Sequence, residues 1–182
     1  MALVEQEVMI NNDLARQNYL VVDQFISESK ARELATLIRE QVHAAKMPAD
    51  NQVPGSPAFA QLPFLIEFHH SVLARSEEIV GAALIPTYVY GRVYQQGAIL
   101  APHRDRDACE ISMTVNLCGT DPWGIWFENP TGEKCEVVLQ PGFGAFYLGC
   151  DALHWREQFQ GLEYIQIFVH FVLKHGKRSA QH

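Results

Sequence analysis

Residues 86–112 read PTYVYGRVYQQGAILAPHRDRDACEIS, and this stretch decides the expected fold because strand patterns flank a candidate ligand pair. Tyrosine and arginine alternate with valine and glycine over residues 88–94, and polar and apolar side chains alternate again from residue 110. A period of two is the pattern of a β-strand whose two faces meet different surroundings. The stretch therefore predicts two strands, with His103 and Asp105 between them.

The His-x-Asp pair formed by His103 and Asp105 is a candidate for metal binding. A strand places residues i and i+2 on one face, so both side chains could hold one ion. A third ligand must come from a distant strand, and His154, in GCDALHWREQ, is well placed to supply it. Two imidazoles and one carboxylate leave coordination positions open, as in non-haem Fe(II) oxygenases. The alternative is a chance pattern in a chain with eight histidines.

Composition restricts the class of protein. A length of 182 residues with 48% apolar and 19% charged residues is typical of one globular domain, here residues 1–182. The chain carries 14 basic and 21 acidic residues, for a net charge of -7. That sign is opposite to the usual electrostatic footprint of a nucleic-acid-binding surface. We therefore expect no nucleic-acid partner.

The start of the chain and its cysteines indicate a cytoplasmic protein. Residues 1–17 contain acidic side chains where a secretory signal needs a basic start and an unbroken apolar run, and no segment reaches membrane-spanning length. The four cysteines form no Cys-x-x-Cys pair, and a chain of this size does not need disulfides. We expect a soluble protein with reduced thiols and no membrane partner.

The N-terminal part, residues 1–84, reads as one strand followed by supporting helices. NYLVVDQFI predicts the strand, and ESKARELATLIREQVHAA predicts a helix capped by Ser27 or Ser29. ADNQVPGSPAFAQLP, rich in proline and glycine, predicts a loop, which we expect near a ligand. LIEFHHSVLARSEEIVGAAL predicts further helix, in which His69 and His70 are expected to be packing or surface residues.

From residue 85 onward the pattern changes to short strands separated by turn residues. The candidate strands are PTYVYGRVY, CEISMTVNL, GIWFE, CEVVLQ, FGAFYLG and EYIQIFVHFVL. Six or more such strands suffice for a jelly roll. The fold class is therefore α+β and mainly β, with a β core over residues 85–175.

Several strands have one polar face. In TYVYGRVY that face carries three tyrosines and Arg92, which suits a pocket that holds a small anion. CEISMTVNL and EYIQIFVHFVL also alternate polar with apolar side chains. Their polar faces could line the same pocket or could simply face solvent, and the pattern leaves both possibilities open.

With these motifs in view, VYQQGAILAPHRD resembles the iron- and 2-oxoglutarate-dependent dioxygenases, especially their prolyl-4-hydroxylase-like branch. The resemblance spans about residues 86–174 and includes PGFGAFYLGCDALHWREQFQG and QIFVHFV, in the order seen in small members of the superfamily. It implies a double-stranded β-helix, which is a distorted jelly roll, supported by N-terminal helices.

The resemblance also implies roles for single residues. His103, Asp105 and His154 would be the iron ligands, and Tyr94 would donate a hydrogen bond to 2-oxoglutarate. Prolyl-hydroxylase-like members usually have a lysine or arginine about ten positions after the distal histidine, where this chain reads LEYIQ. Arg156 is the first candidate to replace it and Arg92 the second, since either could form a forked pair with a carboxylate. The alternative for Arg156 is an ordinary surface ion pair.

The implied activity is hydroxylation of a C–H bond with Fe(II), 2-oxoglutarate and O2, releasing succinate and CO2. The substrate would be a small molecule, an amino acid or a peptidyl side chain, and desaturation or ring closure stays possible. The missing downstream cation keeps a second class open, a non-catalytic jelly-roll module that binds metal or a small acid as a sensor. A nucleic-acid demethylase and a cupin-like metalloenzyme fit less well, and the oligomeric state cannot be read from the sequence.

Overall fold

The computed structural model describes residues 10–180, which form four α-helices and ten β-strands. In chain order these are α1 (Asn12–Gln17), β1 (Tyr19–Val22), α2 (Glu28–Ala45), β2 (Ala58–Ala60), α3 (Pro63–Ser71), α4 (Leu73–Val80), β3 (Leu84–Gln95), β4 (Leu100–His103), β5 (Ile111–Gly119), β6 (Ile125–Glu128), β7 (Lys134–Val137), β8 (Gly144–Leu148), β9 (His154–Arg156) and β10 (Glu163–Leu173).

Two antiparallel sheets form the β core. The larger has six strands in the order β1-β8-β5-β10-β3-β2, and the smaller has four in the order β4-β9-β6-β7. Apolar side chains of β6 and β8 pack together between them, among them Ile125, Phe127, Ala145 and Tyr147. The predicted mainly β architecture is confirmed. Two strands of the larger sheet, β1 and β2, come from the first 84 residues.

The helices cover the outer face of the larger sheet. The Ser27 hydroxyl accepts a hydrogen bond from the Lys30 amide at 3.2 Å, which caps α2 as the sequence predicted. Leu34 and Ile38 are buried on the side of α2 that packs against β5. Burying this apolar stripe holds the helix on the sheet.

The stretch predicted as a further helix over residues 65–84 is two helices, α3 and α4, which meet at Val72. At the junction the Ser71 hydroxyl donates to the Phe68 carbonyl at 2.7 Å, where it competes with the backbone amides that would continue the helix. The helix α1 and the short strand β2 were not predicted, because each offers too few residues to show a period. The short strands β4 and β9 were implied by the argument for His103 and His154 but were not among the candidate strands.

The polar faces of β5 and β10 do not face solvent, so the solvent-face alternative is wrong. Ser112, Thr114 and Gln166 have no exposed surface, and His170 is only 5% exposed. They lie on the inner face, while the apolar side chains of the same strands pack under the helices. The Ser112 hydroxyl bonds to His170 Nδ1 at 2.8 Å, and Gln166 donates to Thr114 at 2.8 Å. A buried polar lining is thus hydrogen-bonded within itself.

No helix within residues 10–180 is both long enough and apolar enough to cross a membrane. Part of the stretch used for the secretory-signal prediction, residues 1–9, lies outside the described residues. All four cysteines are free thiols, and Cys109 is buried.

The corner before β8 depends on Gly142, whose φ of 87° lies in the left-handed region. A Cβ there would come 2.5 Å from the Ile26 carbonyl oxygen. We expect Gly142→Ala to lower the free energy of unfolding by more than Gly132→Ala. Gly132 has a similar φ of 84° but nothing within 4 Å, so it isolates the backbone cost of about 1–2 kcal/mol. Urea unfolding followed by circular dichroism measures both, and equal losses would contradict this account of the corner.

Acid should destabilise the fold through His69, which is 3% exposed and lies 4.8 Å from the Phe171 ring. Burial, followed by the neighbouring His70, lowers the pKa of His69 from 6.5 to about 4. Because protonation then favours the unfolded chain, this contribution is fully present above pH 6.5 and is lost as the pH falls towards 4.

His69→Leu should therefore flatten the dependence of unfolding free energy on pH in that interval, at about 1.4 kcal/mol per unit of pKa shift. His43→Leu is the control, because His43 is an exposed histidine of α2 and is not among the groups that shift the pKa of His69. Urea unfolding at several pH values provides the measurement. A slope in His69→Leu equal to that of the unsubstituted protein would refute the assignment.

Candidate metal centre and cavity

The structure brings His103, Asp105 and His154 together at one end of the smaller sheet. His103 is the last residue of β4 and His154 the first of β9, and the two are paired across these strands. Their ring centroids are 4.2 Å apart. Asp105 Oδ1 lies 3.6 Å from His103 Nε2 and 3.7 Å from His154 Nε2. One donor atom of each residue lies within 4.8 Å of the other two, a spacing that one ion could bridge.

Asp105 was expected to share a strand face with His103, but it lies beyond the end of β4. β4 ends at His103 and contains a register irregularity before it, next to Pro102, which cannot donate a ladder hydrogen bond. Asp105 therefore lies in the turn beyond the strand, where its amide donates to the Gly149 carbonyl at 2.8 Å. A Cβ at Gly149 would lie 2.8 Å from Asp105 Oδ2, so the turn needs glycine at this close approach.

Both histidines are oriented by backbone carbonyls. His103 Nδ1 lies 2.9 Å from the Ala101 carbonyl oxygen, and His154 Nδ1 lies 2.9 Å from that of Ala152. Because a carbonyl oxygen only accepts, each Nδ1 carries the proton and each Nε2 keeps its lone pair. Such outer hydrogen bonds are typical of metal-ligating histidines.

The electrostatics of the three side chains fit a divalent cation. Burial raises the pKa of Asp105 to about 6, against the opposing effect of His103. Burial and then His103 lower the pKa of His154 to about 3, so this imidazole is neutral. The half-buried Asp105 carboxylate lies beside the neutral His154 imidazole, which cannot balance its negative charge. A metal ion would supply the missing positive charge.

A second group of possible donors, Asp105, Cys109 and His170, shares the aspartate. Burial raises the pKa of Cys109 to about 11, so its thiol stays protonated and is a poor ligand. The Nδ1 atom of His170 is engaged by Ser112 at 2.8 Å. The group formed by the two paired histidines and Asp105 is therefore the better metal site.

A cavity of about 380 Å³ opens beside the three ligands. Aromatic side chains from the larger sheet and polar side chains from the loop before β2 form its walls. They include Tyr88, Tyr90, Tyr94, Phe168, Asp50 and Gln52. The inner face of β3, predicted to be aromatic and cationic, thus borders the candidate metal centre.

Arg156 is a buried cation with no acidic partner. The residue is 1% exposed, and its two terminal nitrogens donate to the Trp123 carbonyl at 2.8 Å and to Gln166 Oε1 at 2.7 Å. No acidic side chain within residues 10–180 forms an ion pair with it, so the surface-pair alternative is wrong. Its Nε and the buried Tyr164 hydroxyl have no hydrogen-bond partner among the described residues. A buried guanidinium with an unpaired Nε, close to a tyrosine with an unpaired hydroxyl, is costly unless an anion binds to both.

Arg92, the second candidate cation, is already neutralised. Its guanidinium is fully buried and donates to both carboxylate oxygens of Asp50, at 2.9 and 2.6 Å. Burial alone would raise the pKa of Asp50, but hydrogen bonds from Arg92 and Tyr90 outweigh it and lower the pKa to about 2. The pair is therefore charged on both sides at neutral pH.

Tyr94 lies between the two arginines and lines the cavity. Its ring centre is 5.7 Å from the guanidinium carbon of Arg92 and 5.9 Å from that of Arg156. Burial raises the pKa of Tyr94, so its phenol stays protonated and can donate a hydrogen bond. Tyr94 lines the cavity, whereas Arg156 does not.

Gln52, whose side-chain nitrogen lies 3.3 Å from His103 Nε2, was not predicted as a site residue. Its loop was expected near a ligand, but no pattern within a proline- and glycine-rich segment distinguishes one polar side chain from another. The segment after His154 was expected to lack a cation. The structure shows that Gln166 in this segment holds Arg156 through a hydrogen bond.

No protein-family model matches the chain, and no curated protein matches its sequence significantly. Solved structures do match. A Pseudomonas putida prolyl-4-hydroxylase is 19% identical with a TM-score of 0.70, covering 88% of this chain and 95% of its own. SnoN, an alpha-ketoglutarate-dependent epimerase of nogalamycin biosynthesis, is 12% identical with a TM-score of 0.74, covering 87% and 77%.

HygX from Streptomyces hygroscopicus, solved with nickel and 2-oxoglutarate bound, is 10% identical with a TM-score of 0.70, covering 87% of this chain and 84% of its own. At these identities the likeness concerns the fold. The chain therefore has the double-stranded β-helix fold of the 2-oxoglutarate- and iron-dependent oxygenases, including that of a prolyl-4-hydroxylase.

Proposed function

We propose that this protein is an Fe(II)- and 2-oxoglutarate-dependent oxygenase that hydroxylates a C–H bond of a small molecule, an amino acid or a peptidyl side chain. One observation carries the proposal. His103, Asp105 and His154 each present a possible ligand atom within 4.8 Å of the other two, and a buried cation without a counter-ion lies further along β9. The first feature suits ferrous iron, and the second suits the distal carboxylate of 2-oxoglutarate.

His103, Asp105 and His154 would hold the iron. When bound, iron and 2-oxoglutarate supply the oxidising chemistry, in which O2 is consumed, succinate and CO2 are released and a C–H bond becomes C–OH. The hydrogen bonds from the two Nδ1 atoms to Ala101 and Ala152 keep both Nε2 lone pairs aimed at the ion. Three protein ligands leave the remaining positions of the ion open for cosubstrate and O2.

Arg156 would pair with the distal carboxylate of 2-oxoglutarate. Gln166 and the Trp123 carbonyl fix the guanidinium while its Nε stays unpartnered among the described residues. The buried Tyr164 hydroxyl and the protonated phenol of Tyr94 lie next to it and are suited to donate to the same carboxylate. Arg92 is the less suitable partner because Asp50 already occupies it.

The position of Arg156 weakens the case for a non-catalytic sensor, which rested on the missing cation after the distal histidine. Residues 162–166 contain no lysine or arginine, but Arg156 is bound to Gln166 in that segment. Structures with this fold include a hydroxylase and an epimerase, so the fold alone does not select a substrate. The cavity of about 380 Å³ favours a small molecule or a single side chain.

Binding of both cofactors can be tested without a substrate. Under anaerobic conditions, Fe(II) and 2-oxoglutarate together should give a visible charge-transfer band that His103→Ala abolishes, because one of three protein ligands is lost. His43→Ala, which changes an exposed histidine of α2, should retain the band. Absence of the band in the unsubstituted protein would refute the cosubstrate assignment. On admission of O2, slow formation of succinate without added substrate would separate an enzyme from a sensor.

The role of Arg156 can be tested while the arginine stays in place. Gln166→Glu puts a carboxylate where Oε1 now lies, 2.7 Å from the guanidinium. We expect it to weaken 2-oxoglutarate binding by about 10- to 100-fold, because the introduced carboxylate would pair with Arg156. The charge-assisted interaction of Arg156 with 2-oxoglutarate, worth about 1.5–3 kcal/mol, would then be lost. Arg156→Lys should weaken binding less, since the charge remains.

Gln160→Glu is the control, because it adds the same charge at an exposed position. Titration of 2-oxoglutarate into the iron-loaded protein, followed by the visible band, gives the dissociation constants. Unchanged affinity in both Gln166→Glu and Arg156→Lys would remove Arg156 from the site and leave Arg92 as the candidate.

A further inference from the structure

The loop before β2, residues 49–57, brings polar side chains to the metal centre from outside the β core. Its ends are joined by a bridge between Ala49 and Pro57. Inside the loop, the Asp50 carboxylate accepts from the amides of Gln52 and Val53 at 3.0 and 3.1 Å. The loop is therefore a closed, internally bonded unit that presents Asp50 and Gln52 to the cavity.

The side-chain amide of Gln52 has a defined orientation. Arg92 donates to Gln52 Oε1 at 3.0 Å, and a guanidinium can only donate, so the oxygen of the amide must face Arg92. The NH2 group then faces His103, with the nitrogen 3.3 Å from His103 Nε2. Since His103 Nδ1 carries the proton, Nε2 is the acceptor of this contact.

Arg92 makes this orientation rigid. Its guanidinium is fully buried and is clamped by both oxygens of Asp50 and by the Tyr90 hydroxyl. Asp50 thus ties the loop backbone and the Arg92 guanidinium together, and Arg92 in turn fixes the Gln52 amide. Gln52 is an exposed residue, and Asp50 and Tyr90 still bind the Arg92 guanidinium when the Gln52 amide is removed.

The acceptor that Gln52 now uses is the lone pair that a metal ion would take. When His103 Nε2 binds a metal, the Gln52 NH2 group loses that partner while Arg92 still holds the amide in place. Oxygen atoms of a molecule bound at the open coordination positions, such as the carboxylate of an acid, would be suitable replacement acceptors.

We propose that Gln52 is a binding residue for the metal-bound cosubstrate, donating a hydrogen bond to its oxygen from the loop side, with Asp50 and Arg92 as the residues that position it. This inference rests on the proposed function and adds to it a contact outside the β core. The loop of residues 49–57 would then contribute to cosubstrate binding.

Three variants test the inference through binding rather than turnover. Gln52→Leu removes the donor at similar size, Gln52→Glu replaces it with a negative charge, and Gln160→Leu is the exposed control. Each protein is titrated anaerobically with Fe(II), and then with 2-oxoglutarate, while the charge-transfer band is followed.

For Gln52→Leu we expect 2-oxoglutarate to bind about 5- to 10-fold more weakly, the loss of one neutral hydrogen bond, with a shifted band maximum and Fe(II) affinity equal or slightly higher. Gln52→Glu should weaken 2-oxoglutarate further, because two negative charges meet, and should strengthen Fe(II) binding. Gln160→Leu should match the unsubstituted protein.

The outcomes distinguish failure of the proposed function from failure of the role assigned to Gln52. If the unsubstituted protein forms no complex with Fe(II) and 2-oxoglutarate, the proposed function fails and this inference fails with it. If that complex forms and Gln52→Leu binds 2-oxoglutarate equally well with an unshifted band, only the inference is overturned. Tighter Fe(II) binding in Gln52→Leu without any loss of 2-oxoglutarate affinity would also overturn it, and would make Gln52 a competitor for His103.

Discussion

The antiparallel pairing of β4 with β9 is the constraint on which the candidate site depends. It places His103 opposite His154, although fifty residues separate them along the chain. The carbonyl groups that fix both imidazoles come from Ala101 within β4 and from Ala152 just before β9. Because each strand has only three or four residues, the larger sheet and the packing of β6 against β8 must hold them in position.

The space between the sheets is polar to an unusual degree for a protein interior. Arg92, Arg156, Gln166, Ser112 and Thr114 are all buried at 1% exposure or less. Most of their polar groups have hydrogen-bond partners, so the cost of removing them from water is largely offset. Arg156 Nε and the Tyr164 hydroxyl are unpaired, and the guanidinium carbon of Arg156 lies 5.3 Å from the Tyr164 ring centre and 5.9 Å from that of Tyr94, which lines the cavity. Buried polar atoms that lack hydrogen-bond partners near a cavity indicate a position where a ligand binds.

The sequence predicted elements well where a period or a cap was long enough to read. The helix over residues 28–45 and the strand over residues 163–173 have the predicted bounds. It could not decide whether the polar face of β5 meets water or a second sheet, since alternation is the same in both cases. The strand-face argument for Asp105 was wrong because β4 ends at His103. Contacts such as Gln52 with His103 depend on how a loop folds back, which local patterns do not encode.

The unpartnered charge of Arg156 also has a consequence for the ligand-free protein. A desolvated guanidinium without a counter-ion lowers the stability of the folded chain, and any small acid that fits beside it restores that stability by mass action. Thermal resistance should therefore follow the supply of such an acid. A cell that runs short of it would hold this protein in its most fragile form and expose it to proteolysis.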